Sequence, residues 1–210
     1  MYRVPHFTEK DRESVVEFMY AYPFVFLTGC KDNVPVATQV PVLIDEKDGT
    51  FVLRGHIMRN SDHHLAFQQN PDVLVLFNGP HCYVSASWYS VRGIGSTWNY
   101  MTVHARGKIQ LMDEAHTLQL LTDLTHKYED KQPRPELLEN MSSEKYVQPM
   151  IKAIASFEIR LDDIYPLFKL SQNRDDESYK NIAEQLMNSE ELDAITIAGE
   201  MIKRRPQLFD

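Results

Sequence analysis

The run GPHCYVSASWY, Gly79–Tyr89, followed by TWNY, Thr97–Tyr100, gathers rings, hydroxyls and an amide into one short stretch. Tyr83, Trp88, Tyr89, Trp98 and Tyr100 interleave with Ser85, Ser87, Thr97 and Asn99, and both tryptophans of the chain lie here. Flat rings beside short polar groups suit a flat heteroaromatic ligand, stacked on one face and hydrogen-bonded along its edge. The same composition also suits a β-rich core whose Tyr and Trp tips are satisfied internally. His56, His63, His64 and His81 raise the question of a metal. Adjacent histidines serve a single ion poorly on a helix, where ligands at i and i+4 share a face, so no metal is expected. Cys30 and Cys82 have neither zinc-ligand nor CxxC spacing. No catalytic triad follows from residue order alone.

The elements that must position these residues are mostly strands. Thr8-Glu9-Lys10-Asp11 reads as a capping-box helix start, with Val15, Phe18, Met19 and Tyr22 on one face and Pro23 as the stop. Phe24–Cys30 and Val34–Ile44 form a predicted hairpin about Lys31-Asp32-Asn33. A second turn over Asp45–Gly49 leads into Phe51–Ile57. Asn60-Ser61-Asp62 caps a short helix to Gln69, and Val73–Phe77 is an apolar strand. Thr97–Leu111 alternates apolar and polar residues from Met101 onward, the period of a half-buried strand. A helix follows from Asp113 to Glu129, then a polar loop over Asp130–Glu144 and a strand over Ile154–Leu161. Helices over Asp175–Met187 and Glu190–Lys203 close the chain. Gly93-Ile94-Gly95 is not followed by the helix that a phosphate loop needs. The expected fold is a β-dominated α+β domain, a closed or nearly closed sheet with peripheral helices, over residues 1–172. Residues 173–210 are too few to fold alone and dock on the barrel or on a partner subunit.

The chain has 210 residues, 43% hydrophobic and 25% charged, which is enough for a sizeable core. Its formal charge of −8 argues against a broad nucleic-acid surface, which needs clustered cations. Lys203-Arg204-Arg205 reads as a helix end favoured by the helix dipole. Arg3, His6, Glu9, Lys10 and Asp11 break any apolar leader, and no stretch reaches membrane-span length. A cytoplasmic location with free thiols is expected.

Several motifs together resemble one family. GHIMRN (Gly55–Asn60), the SWY and TWNY blocks with Val103-His104 and Gly107, and KLSQN (Lys169–Asn173) are similar to PaiB-like proteins, described as FMN-binding negative transcriptional regulators. The likeness runs from Met1-Tyr2 and His6-Phe7 to beyond Asn173. Ala86 and Ser96 stand where the family usually has Pro, which loosens that loop. The resemblance implies a split β-barrel of the flavin-reductase and pyridoxamine-oxidase type, a homodimer, and FMN in a groove between subunits. Val73–Phe77 and the Trp88–Trp98 region would then lie near the interface.

FMN asks for donors at its phosphate, a wall for its ring and placed groups at the ring edge. Arg59 and Asn60, at a strand exit before a helix start, suit the anion, with His56 and Arg54 nearby on one strand face. Ser85, Ser87, Trp88 and Tyr89 offer wall and edge groups, and Thr97, Trp98 and Asn99 offer a second set. Lys169, Ser171, Gln172 and Asn173 would reach across the dimer. No residue is an evident catalytic acid or base, so a flavin would carry any chemistry, with a nicotinamide as reductant, or would act as a sensed ligand. A direct DNA-binding repressor and a haem-binding split barrel are the alternatives. Neither a helix-turn-helix nor a basic stripe supports the first, and the last histidine, His126, lies far from the C-terminus that the second would use.

Overall fold

The computed structural model describes residues 4–210; Met1-Tyr2 and Arg3, used above, lie outside the described residues. Seven strands, β1 (Phe24–Lys31), β2 (Val34–Pro41), β3 (Leu43–Lys47), β4 (Thr50–Met58), β5 (Asp72–Val84), β6 (Thr97–Leu111) and β7 (Ile154–Lys169), form one sheet in the order β2-β1-β5-β6-β7-β4-β3. The helices are α1 (Arg12–Ala21), α2 (Asp62–Gln69), α3 (Glu114–Glu129), α4 (Gln148–Ala153), α5 (Asp176–Met187) and α6 (Leu192–Arg204). Two compact units share the chain. The first comprises residues 4–22, Phe77–His104 and Tyr165–Asp210; the second comprises Pro23–Leu76 and Ala105–Ile164. Residues 173–210 fall within the first.

In the second unit two hairpins pair in full register, Lys31 opposite Val34 and Lys47 opposite Thr50. Their turn residues, Asp32 and Asn33, then Asp48 and Gly49, all have φ between 51° and 72°. Two successive positive φ values make the tight turn whose twist matches the flanking strands. The expected strand Val34–Ile44 is in fact two. Its first part pairs with β1 and its second with β4, at opposite ends of the sheet order. Pro41 and buried Val42 make the break, and the Val42 N–H donates to the Pro23 carbonyl at 2.9 Å. One linking residue therefore holds the two ends of the sheet close together. At Gly107 an added Cβ would lie 2.1 Å from the Arg160 carbonyl oxygen, so β6 and β7 approach there as only glycine allows. Leu121, Leu138, Val147 and Ile151 form a core under α3. The expected polar loop over Asp130–Glu144 contains a 3-10 turn at Leu138–Asn140 and runs into a π-turn at Ser143–Val147 and then α4.

In the first unit α1 buries Val15, Phe18 and Met19, as its periodicity predicts. Its cap is Asp11, whose carboxylate accepts from Ser14 N–H. Thr8, the expected cap, instead hydrogen-bonds the Tyr165 hydroxyl at 3.1 Å. α5 and α6 pack together, burying Tyr179, Ile182, Leu186, Ile197 and Met201, and the Tyr179 hydroxyl donates to the Met201 carbonyl at 2.9 Å. β5 and β7 both run longer than expected, to Val84 and Lys169, so Gly79–Val84 continues the strand.

Candidate functional site

The second unit carries the expected anion corner. β4 ends at Met58, Asn60 adopts a left-handed φ of 61°, and Ser61 caps α2 by accepting from His64 N–H. The left-handed residue turns the chain sharply enough for the helix N-terminus to follow the strand directly, with its His63 and His64 N–H groups capped by the Asp62 and Ser61 side chains. His64 is 3% exposed, and its Nδ1 accepts the Asn60 N–H at 3.1 Å. An Nδ1 that accepts places the ring proton on Nε2. That buried Nε2 has no partner among the described residues. Burial, then Arg59 and His63, lower the His64 pKa, so the ring stays neutral and Nε2–H is an unused donor. Arg59 makes no ion pair among the described residues; its backbone N–H donates to the Ala153 carbonyl.

Arg54 and His56 share a strand face but stand differently. Arg54 Nε donates to Asp45 at 2.6 Å and Nη1 to Asp123 at 2.6 Å. Its fork is spent on joining β3, β4 and α3. His56 lies opposite Ser156, its Nδ1 is buried without a partner, and burial lowers its pKa.

The first unit gathers the aromatic and amide residues. Trp98 is 53% exposed, with its ring centre 6.0 Å from Tyr83 and 6.2 Å from His81. These three rings make an open aromatic face on β5 and β6. Lys169 Nζ donates to Thr97 Oγ1 and, at 2.5 Å, to the Trp98 carbonyl. Asn99, by contrast, is wholly buried. Its Oδ1 accepts from Ser171 Oγ at 3.0 Å and its Nδ2 points to Met201 Sδ at 3.6 Å. Gln172 is likewise bound to its own turn, accepting from Leu170 N–H and donating to the Phe168 carbonyl. Asn99, Ser171 and Gln172 thus join β6, the turn after β7 and α6, and their polar atoms are engaged within the chain. Ser85 and Ser87 hydroxyls bond each other at 2.8 Å, and Ala86 N–H donates to Ser96 Oγ. Trp88 is half-buried, while Tyr89 is 3% exposed with an unpartnered hydroxyl. Cys82 is no nucleophile: burial first, then Asp193 and Glu191, push its thiol up to about 12.

Comparison with known proteins decides the family. The model of the family described as "Putative FMN-binding domain" matches residues 1–163. The chain belongs to this FMN-binding family. It is also 34% identical over 198 residues to "Protease synthase and sporulation protein PAI 2" of Bacillus subtilis (strain 168), covering 94% of this chain and 95% of that one. Among solved structures, the flavocytochrome Anf3 from Azotobacter vinelandii aligns with a TM-score of 0.56 at 16% identity, over 80% of this chain and 72% of that one. The FAD and heme binding protein from Mycobacterium smegmatis aligns at 0.54 and 15% identity, over 78% and 73%. At such identities the likeness is one of fold, and the fold is the split barrel. The cofactor of the FMN-binding family is a flavin.

From sequence His64 was weighed only against a metal, although its buried Nε2 has no partner among the described residues. The signal was the helix cap SDH directly after Arg59-Asn60. Arg174, which follows KLSQN immediately, was also passed over.

Proposed function

We propose that this chain is an FMN-binding flavoprotein whose phosphate seat is the corner between β4 and α2. The observation that carries this reading is two groups there with no partner among the described residues: the buried His64 Nε2–H and the Arg59 side chain, which makes no ion pair. A phosphate dianion needs this combination of an oriented N–H donor and a cation. Arg54, held by two aspartates, stands outside the seat. The open aromatic face of Trp98, Tyr83 and His81 is the surface of the first unit suited to a flat ring.

A bound flavin supplies hydride or electron transfer, with a reduced nicotinamide as the source. The chain's own part is to hold it: His64 stays neutral because it is buried, and so donates without adding charge. The protein works as a homodimer, with regulation exerted through the flavin's state and a protein partner rather than through contact with DNA.

The test is a titration of FMN and riboflavin against the wild type and Arg59→Ala. One charge-assisted pair contributes about 1.5–3 kcal/mol, so FMN should bind about tenfold more weakly or worse, and riboflavin almost unchanged. Equal losses for both ligands would assign Arg59 to structure and defeat the reading.

A further inference from the structure

A chain of net charge −8 leaves two cations uncompensated at one turn. Lys169 ends β7, and Arg174 follows Ser171, whose φ of 62° and whose carbonyl, accepting the Arg174 N–H at 3.0 Å, close the turn. Neither cation has a carboxylate partner among the described residues. The half-buried Lys169 ammonium donates only to neutral oxygens, the Thr97 hydroxyl and the Trp98 carbonyl. The Arg174 guanidinium lies 4.1 Å from the Tyr89 ring centre, and no hydrogen bond from its five N–H donors is found among the described residues. Beneath it, the Tyr89 hydroxyl is buried without a partner. The nearby carboxylates are committed elsewhere. Asp175 accepts from Ser178 and Ser90, and Asp176 pairs with Arg205 at 2.9 Å. Arg205 also donates to the Gln172 and Arg174 carbonyls, stiffening the turn with a third positive group. Burial first, then the charge of Arg174, lower the Lys169 pKa.

Half-buried charges without partners destabilise a fold, and an incoming anion reverses that cost. A planar guanidinium held flat on a ring with its edge open matches a carboxylate or phosphate through two parallel hydrogen bonds, and a lysine adds a point charge. We infer that Lys169 and Arg174 form a seat for the oxyanion of a small ligand, a carboxylate or phosphate group, with the exposed Trp98 ring as the surface for the ligand's apolar body. This seat uses other residues than the corner between β4 and α2. Its occupant is a ligand other than FMN, whose phosphate is assigned to the corner between β4 and α2.

Thermal melting of the full chain tests the seat, with inorganic phosphate or benzoate against chloride at matched ionic strength. The wild type should gain several degrees, saturating with anion. Arg174→Gln should melt no lower than the wild type in chloride and lose the gain. In a Trp88→Phe background, Trp98 emission should respond to benzoate, with affinity weakened about tenfold by Arg174→Gln. Equal gains for wild type and variant, or no gain for either, would overturn the seat. Should Arg174→Gln not fold, Arg174→Lys keeps the charge without the fork: a weakened benzoate response is expected, and an unchanged one overturns the proposal. FMN and riboflavin titrations of the same variant check that this seat is separate: unchanged flavin binding with a lost anion response is expected, and a loss for FMN alone would overturn it.

Discussion

Arg54 lies within β4 and Arg59 just beyond its end, and their surroundings give them different work. Arg54 bridges Asp45 and Asp123, with side-chain exposures of 20% for the arginine and 31% for each aspartate. Arg54→Met would leave two half-buried carboxylates facing each other's charge. Breaking a fully buried pair costs 3–5 kcal/mol, and partial exposure reduces this to about 2 kcal/mol. Urea denaturation should show that loss, while FMN affinity stays within about twofold. A tenfold loss of FMN with unchanged stability would return Arg54 to the phosphate. From sequence the two arginines looked alike, because Asp45 and Asp123 are distant in the chain and only folding brings them to Arg54. Asn99 and Gln172 were unreadable for the same reason: an amide in a motif reads as a ligand group until its internal partners are known.

The elements that were legible were those with a strong local signal. The alternation of Thr97–Leu111 and the caps of α2 and α3 match the observed bounds closely. The break at Val42 was not legible, since Val34–Ile44 is uniformly strand-like and only pairing to opposite ends of the sheet divides it. At the start of α5, Asp175 accepts from Ser178 N–H, the Ser178 hydroxyl and Ser90, and these bonds lower its pKa to about 2. A depressed carboxylate pKa stabilises the folded chain above the unfolded value, about 3.9, and that contribution disappears as pH falls through about 2. Stability measured across this window should therefore fall less steeply for Asp175→Asn than for the wild type. Identical slopes would show that the cap is not formed in solution.

For the whole molecule, the outer face of β1 and β5 is the surface on which the proposed association is tested. Phe24 is 57% exposed and Phe26 37%, and Phe26 lies opposite half-buried Leu76. Val73, Val75 and Phe77 are buried, so of the expected interface strand only its outward residues, Leu74 and Leu76, remain available. Contiguous exposed apolar side chains of this kind mark an interaction surface. Sedimentation should give a dimer at micromolar concentration, and Phe24→Glu with Phe26→Glu should give a monomer; a monomeric wild type would refute the homodimer. The DNA expectation belongs to the same scale. Acidic residues outnumber basic ones by 30 to 22, and Arg54, Arg106 and Lys108 each pair with an aspartate. Duplex affinity rests on free cations, so no salt-sensitive, sequence-selective binding should appear in an anisotropy titration. Submicromolar selective binding would favour the repressor.

The single residue between β2 and β3 bears on how the chain reaches its fold. Rings in general close late, because distant ends must find one another and closure entropy grows with the length of chain between them. Here the ends of the sheet order are neighbours in sequence, tied by Val42 between two tight hairpins. The link is therefore as local as the two hairpins it joins, and available before any long-range pairing has formed. The slow steps fall instead on inserting β5, β6 and β7 between edges that are already joined, which places the rate of folding with the long strands and not with the closure.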